Sequence, residues 1–329
     1  MLKNCLLACL ATLLFLPQAP SVSRAETRYV SEIVPAGFFR ELAQSPISVK
    51  VTKVIDPLTF MGEDKNIYSL SGVEIPNLQT GKKDFTLEAS KTLALLIEDK
   101  DLKLYTTKTR DKGRINRMNQ MLVQAELKQA RIWIQGELLA AGLARVKTTA
   151  GNPEMRDAML TIEAKAREEK KGLWADNALQ VLTPETAIGH ENSFAIIEGT
   201  PKAAAITRNM IFLNYGDDYK KDFTVGIPTS LRVAFSKKKI NPLQMANTKI
   251  RVRGWVQSYN GPFIEIDHPE QIEILGRLSP FNETRTQPEP SPNSAGMRTI
   301  QMPKAPEIEK PIEPEIIAPK KNNAAYPNP

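Results

Sequence analysis

The chain is poor in the side chains that do thiol and imidazole chemistry: its 329 residues hold two cysteines and two histidines. Both cysteines, Cys5 and Cys9, fall in a leader pattern. Lys3 is followed by an apolar run from Cys5 to Leu16, then Pro17, then the small residues Ser23 and Ala25 ahead of Glu26, which together predict a secretory signal peptide spanning 1–25. The mature chain is then expected to lack cysteine, which excludes disulfides, thiol nucleophiles and cysteine-ligated metals. His190 and His268 are far apart in the sequence and read as surface residues rather than metal ligands. The leader's apolar run is too short to cross a bilayer as a helix. A competing pattern, Leu6-Leu7-Ala8-Cys9, has the residue types of a lipoprotein signal but few residues before it to build the apolar segment. The expected location is secreted, most simply periplasmic, with no membrane span.

A strong excess of one charge is also missing. The formal charge is +7, and loss of the leader removes Lys3 and Arg24 but no acid, leaving +5. So small an excess permits a polyanionic partner without demanding one, and local clustering matters more than the total. The 41% hydrophobic content is enough for two cores in a chain of this length. From 277 to 329 prolines alternate with charges, as in Pro303-Lys304-Ala305-Pro306 and Lys310-Pro311-Ile312-Glu313-Pro314. That spacing opposes both helix and sheet and predicts a disordered tail, a spacer or a ligand for an aromatic-lined groove on a protein partner.

Between these ends lie two folded segments. In 46–176, alternation over Ser48–Ile55, a turn at Asp56-Pro57-Leu58-Thr59 and Phe60-Met61 predict a hairpin. A third strand, Ile67–Val73, stops before Pro76. Phe85, Ala89, Leu93, Leu96 and Ile97 recur at helical spacing over Asp84–Glu98. Strands at Leu102–Thr107 and about Met118–Gln124 follow, with a short helix over Glu137–Ala141 ended by Gly142. A last helix is predicted with Asn152 as cap and Pro153 in its first turn, stopped by Gly172. Its buried stripe is Ala158, Met159, Ile162 and Ala166. The order is that of a small α+β barrel of the OB type with packed helices.

Several of these stretches carry a resemblance: Val54–Thr59, Ser69–Asn77, Gly113-Arg114, Glu137–Ala144, and Glu163 to Gly172-Leu173-Trp174, in that order. Over about 130 residues the segment resembles the staphylococcal nuclease (thermonuclease) family. The resemblance implies a phosphodiester-cleaving fold in which acidic residues of two turns hold calcium, two arginines brace the phosphate, and a glutamate is the base.

Mapped onto those positions, this sequence is depleted. Asp56 and Thr59 match the first turn, but Pro57 replaces a glycine and Leu58 a metal-ligating aspartate. In the second turn Glu74 stands for a ligating aspartate, Ile75 for a threonine and Asn77 for the catalytic glutamate. An amide has no useful basicity at neutral pH. The arginine ahead of this turn is Ser69, which leaves Arg114, or alternatively Arg117, as the only one of the pair. Loss of a base and of electrostatic donors costs orders of magnitude in rate. Asp56, Glu74 and Arg114 are therefore either a residual catalytic site, calcium-assisted if active, or a turn cap, a surface carboxylate and a loop salt bridge.

The second segment, 194–275, starts with strand-like runs at Phe194–Ile206 and Asn209–Tyr215, then Phe223–Ile227 before Pro228. A helix is predicted within Thr229–Met245, interrupted at Asn241-Pro242. From Lys249 to Tyr259, Ile250, Val252 and Val256 make one face apolar, while Lys249, Arg251, Arg253, Trp255 and Tyr259 make the other basic and aromatic. A three-residue turn, Tyr259-Asn260-Gly261, would set Ile264 opposite Val256 and keep the core on one side, with Gly261 in the left-handed position. The order suggests a second OB-type barrel and loosely resembles a module that accompanies nuclease-like domains in secreted bacterial proteins. Cations interleaved with rings suit single-stranded nucleic acid. The expected function is a catalytically degenerate nuclease-fold protein that binds nucleic acid or another polyanion. A weak calcium-assisted nuclease and a cell-envelope scaffold for protein partners are the alternatives.

Overall fold

The computed structural model describes residues 34–80, 83–109, 112–175, 179–218 and 221–278. The expected leader, 1–25, and residues 279–329 of the expected proline-rich tail lie outside them. Both folded segments belong to one compact unit.

The first segment opens with β1 (Ala43–Asp56), β2 (Thr59–Gly62) and β3 (Ile67–Leu70), then β4 (Val73–Glu74) and the short pair β5 (Gln79–Thr80) and β6 (Lys83–Asp84). Helix α1 (Phe85–Ile97) leads to β7 (Asp101–Thr106), β8 (Met121–Leu127), β9 (Ile132–Trp133), α2 (Ile134–Ala140), β10 (Arg145–Val146) and α3 (Arg156–Glu168). The order β3-β2-β1-β7-β8 closes into a five-stranded barrel because β3 also pairs with β8. Closure needs one long strand that serves both halves. β1 does this with irregularities at Val51/Lys53 and Val54/Asp56, which turn it from β7 towards β2.

The helices cover this barrel with the residues that the 3.6-residue period marks: Phe85, Ala89, Leu93, Leu96 and Ile97 are all buried. Asp84 is the cap of α1 rather than its first residue, its carboxylate accepting the Leu87 N–H at 3.1 Å. Helix α3 starts later than expected, at Arg156 after a left-handed Met155. Asn152 instead closes a bridge with Thr149. The predicted stripe holds in part, with Met159 and Ala166 buried and Ala158 and Ile162 partly so. Val34, Phe39 and Leu42, upstream of the expected boundary at 46, belong to the same core.

The second segment has β11 (Val181–Leu182), β12 (Ser193–Gly199), β13 (Ala203–Ile206), β14 (Met210–Asn214), β15 (Thr224–Pro228), α4 (Arg232–Lys237), β16 (Ile250–Ser258), β17 (Pro262–Glu265) and β18 (Ile272–Ile274). Its sheet runs β11-β12-β16-β17-β15-β14-β13, with β18 also on β16. Contrary to the expectation of a second barrel, this sheet does not close. Pro201 cuts the run Phe194–Ile206 into β12, paired with β16, and β13, paired with β14, so no continuous strand bridges the two flanks. The turn after β16 is as expected: Gln257 faces Phe263 and Ser258 faces Pro262, the register of a three-residue loop, with Gly261 at φ 92°.

The two segments share a buried seam. Ile196 of β12 packs with Ala166 and Trp174, and Arg156 donates to the Glu270 and Ile272 carbonyls. His268, expected at the surface, is buried in this seam with Nε2 at 2.9 Å from Thr148 Oγ1. Among the described residues no helix is long and apolar enough to cross a membrane.

Candidate functional site

The turn between β1 and β2 is held by its own first residue. Asp56 Oδ1 accepts the Leu58 N–H at 2.8 Å, an aspartate turn that uses the carboxylate as a backbone cap. Pro57 fixes φ inside that turn, and Leu58, partly buried, packs on the barrel core. The Leu58 carbonyl accepts the Leu70 N–H at 2.8 Å, which ties the turn to β3.

Glu74 sits where β4 pairs with β10, directly opposite Arg145. Arg145 Nε and Nη2 donate to Glu74 Oε2 at 2.9 and 2.6 Å, and Lys147 Nζ donates to Oε1. Burial pushes the Glu74 pKa up, but the Lys147 hydrogen bond and the Arg145 charge outweigh this and leave it below its ordinary value. The Arg145 guanidinium lies 4.1 Å from the centre of the Phe194 ring, so the second segment covers the cation that holds Glu74. Glu74 is therefore not the lone surface carboxylate of one sequence reading. Among the described residues Arg114 makes no salt bridge: its Nε donates to the Thr107 and Thr109 carbonyls at 3.2 and 3.1 Å, bracing its own loop. Arg117 is exposed. Among the described residues no hydrogen bond or ion pair joins Asp56, Glu74 and Arg114.

Calcium is bound by six to eight oxygens, mostly carboxylate and carbonyl. The residues at the two turns do not fit it. Leu58 offers no oxygen, Asp56 already caps a turn, and both oxygens of Glu74 are taken by cations. Among the described residues no group of three or more His, Cys, Asp or Glu side chains is placed to hold a metal ion.

Lys249 and the cations of β16 that follow it are brought together, but facing acids on the neighbouring strands. Lys249 Nζ pairs with Glu198 at 2.6 Å; Arg251 pairs with Glu198 and, at 2.9 Å, with Glu273. Arg253 is 2% exposed and lies inside the seam. It donates to both oxygens of Glu163, to Glu273 and to the Val146 carbonyl. The expected basic face is thus a neutralised one, and Arg253 has no access to a phosphate. The alternation Lys-x-Arg-x-Arg was visible in the sequence, but its partners were not. Glu198 and Glu273 reach it only through the registers Glu198↔Arg251 and Arg251↔Glu273, and Glu163 only through docking of α3. Trp255 and Tyr259, by contrast, are 56% and 55% exposed.

Residues 68–176 match the family model described as Staphylococcal nuclease homologue. This stretch, which contains the barrel strands β3, β7 and β8 and the helices α1, α2 and α3 but not β1 or β2, is an SNase-like domain. No curated protein matches the chain.

Proposed function

We propose that this is an exported nuclease-fold protein that binds rather than cuts, its SNase-like domain being catalytically degenerate and its binding surface lying on the second segment. The observation that carries the reading is the closed state of Glu74: a carboxylate held by Lys147 and by Arg145, itself covered by the Phe194 ring, cannot also ligate a cation that assists phosphodiester cleavage. Leu58, Ser69 and Asn77 remove, by residue type, an oxygen ligand, a guanidinium and a base. The leader pattern supports export. Arg251 and Arg253 give their hydrogen bonds to internal carboxylates, so the binding surface of this reading is the exposed end of β16 at Trp255 and Tyr259.

Incubated with labelled single-stranded DNA and RNA and calcium, the purified chain is expected to yield no more product than a heat-inactivated control. Leu58→Asp, Ser69→Arg and Asn77→Glu combined are expected to leave it inert while Arg145 and Lys147 remain. Cleavage by the unaltered chain that disappears in Arg114→Ala would establish the nuclease alternative instead.

The Glu74 clamp also has a pH signature. Because its folded pKa lies below the ordinary 4.5, the clamp's stabilisation is fully present above about pH 4.5 and is lost as pH falls through the lowered value. Urea midpoints measured from neutral to acid pH should therefore fall less steeply in Glu74→Gln than in the parent. Parallel curves would show that the pair contributes nothing to acid unfolding.

A further inference from the structure

The sheet face that docks on the barrel does not end at the seam. Register places Ile196 and Arg253 on it within the seam, then Phe194 and Trp255, which face each other across β12 and β16. On the far side, Gln257 faces Phe263, and Phe263 and Glu265 stand beside Thr224 and Gly226 of β15. The Phe263 ring lies flat on the sheet. A Cβ on Gly226 would come within 2.3 Å of its Cζ, so glycine is what lets the ring lie down. Tyr259 leans on that ring at 5.5 Å between centroids. The register of β16 and β17, carried two residues on, sets Glu265 beside Trp255.

The two halves of this face differ in one respect. Within the seam Arg251, Arg253 and their acids are paired. Beyond it, among the described residues, no hydrogen bond or ion pair engages the Trp255 indole N–H, the Gln257 amide, the Tyr259 hydroxyl or the Glu265 carboxylate, and all four residues are exposed. Two rings about 13 Å apart along the strand, with donors and acceptors between them, form an open platform.

We propose that this platform binds a neutral glycan chain, sugar faces stacking on Trp255 and Tyr259 and vicinal hydroxyls donating to Glu265 while Gln257 both donates and accepts. The proposal deepens the binding reading by naming the ligand class. Charge selects that class: among the described residues Glu265, the ionisable side chain without a partner beside Trp255, is an acid, which repels a phosphate chain. Arg145 and Lys147, the cations over the neighbouring Phe194 ring, are held by Glu74. A proline-rich peptide backbone, lacking N–H groups, has little to offer a carboxylate. Sugar hydroxyls satisfy both the acid and the amide.

The test is a fluorescence titration of the full chain with a neutral β-linked oligosaccharide of about six sugars, beside an oligothymidylate, at several salt concentrations. Trp133 and Trp174 are buried, so the change reports Trp255. Saturable sugar binding is expected, changing less than about twofold between low and high salt because no counterions are released. Trp255→Ala removes the reporter, so parent and variants are also titrated by calorimetry; there Trp255→Ala should weaken binding about tenfold or more, and Glu265→Gln by a smaller factor, on a protein that keeps its unfolding midpoint. No response to any neutral β-linked hexasaccharide, binding unchanged in Trp255→Ala, or tighter, salt-sensitive binding of the oligothymidylate would overturn the proposal. Nuclease activity in the same preparation would overturn the non-cleaving reading and leave this result intact.

Discussion

Arg253→Ala is expected to destabilise the chain by about 3–5 kcal/mol, the cost of removing one member of a buried ionic group and leaving the Glu163 carboxylate without the two hydrogen bonds it accepts from Arg253. Arg253 is 2% exposed, and Glu163, which it serves with two hydrogen bonds, is 1% exposed. Burial works against the Arg253 charge, but the Glu163 and Glu273 carboxylates more than offset this, so its pKa is raised and the side chain stays charged. Without it, among the described residues Glu163 keeps Arg167 at 3.9 Å as its only cation, Glu273 keeps Arg251 at 2.9 Å, and the Val146 carbonyl loses a donor inside the seam. The network is not ideal as it stands, since among the described residues Arg253 Nε has no acceptor. An apolar replacement of the whole group would therefore cost much less than the single deletion. Arg253→Met combined with Glu163→Gln should recover part of the loss, since a neutral amide tolerates the seam better than an unpaired carboxylate. Urea unfolding of the three proteins checks this. A cost below about 1 kcal/mol for Arg253→Ala would mean that the seam is held by Ile196, Trp174 and Ala166 instead.

That expectation rests on what the sequence could not display. The period of β16 identified its apolar face, and Ile250, Val252 and Val256 are all fully buried. The turn argument at Tyr259-Asn260-Gly261 also fixed the register with β17, because only one loop length kept Ile264 and Val256 on one side. The opposite face was misread for a physical reason. Alternating cations look the same whether they meet solvent or acids, and the acids come from positions 163, 198 and 273, brought in by long-range pairing. The second barrel failed for a related reason: Pro201 was a visible break, but its consequence for closure depends on where β12 and β13 find partners. In the first segment the turn chemistry was legible. Asp56 is the turn cap that one reading assigned to it, whereas the Glu74 clamp needed the pairing of β4 with β10.

Gly142→Ala and Gly172→Ala are each expected to cost at least about 3 kcal/mol, and they should not add. These are the glycines of two of the five stretches that carried the family resemblance, and the structure shows that they are one feature. Both are left-handed, at φ 68° and 52°, and each faces the other's backbone. A Cβ on Gly142 would lie 2.2 Å from the Lys171 carbonyl oxygen, and one on Gly172 would lie 2.3 Å from the Gly142 oxygen. Backbone cannot step aside as a flexible side chain can, because the Gly142 oxygen also accepts the Leu173 N–H at 2.7 Å. That hydrogen bond joins the end of α2 to the Gly172–Trp174 turn after α3, and so positions Trp174 for the seam. Gly189 separates the two contributions. It is also left-handed, at φ 87°, but nothing lies within 4 Å of its Cβ position, so Gly189→Ala should cost only the backbone term of about 1 kcal/mol. Once either alanine has forced α2 and the turn apart, the second meets little further resistance, and the double variant should fall well short of the sum. Urea midpoints for the four variants decide it. If Gly142→Ala loses no more than Gly189→Ala, the close approach is not what these glycines are there to permit.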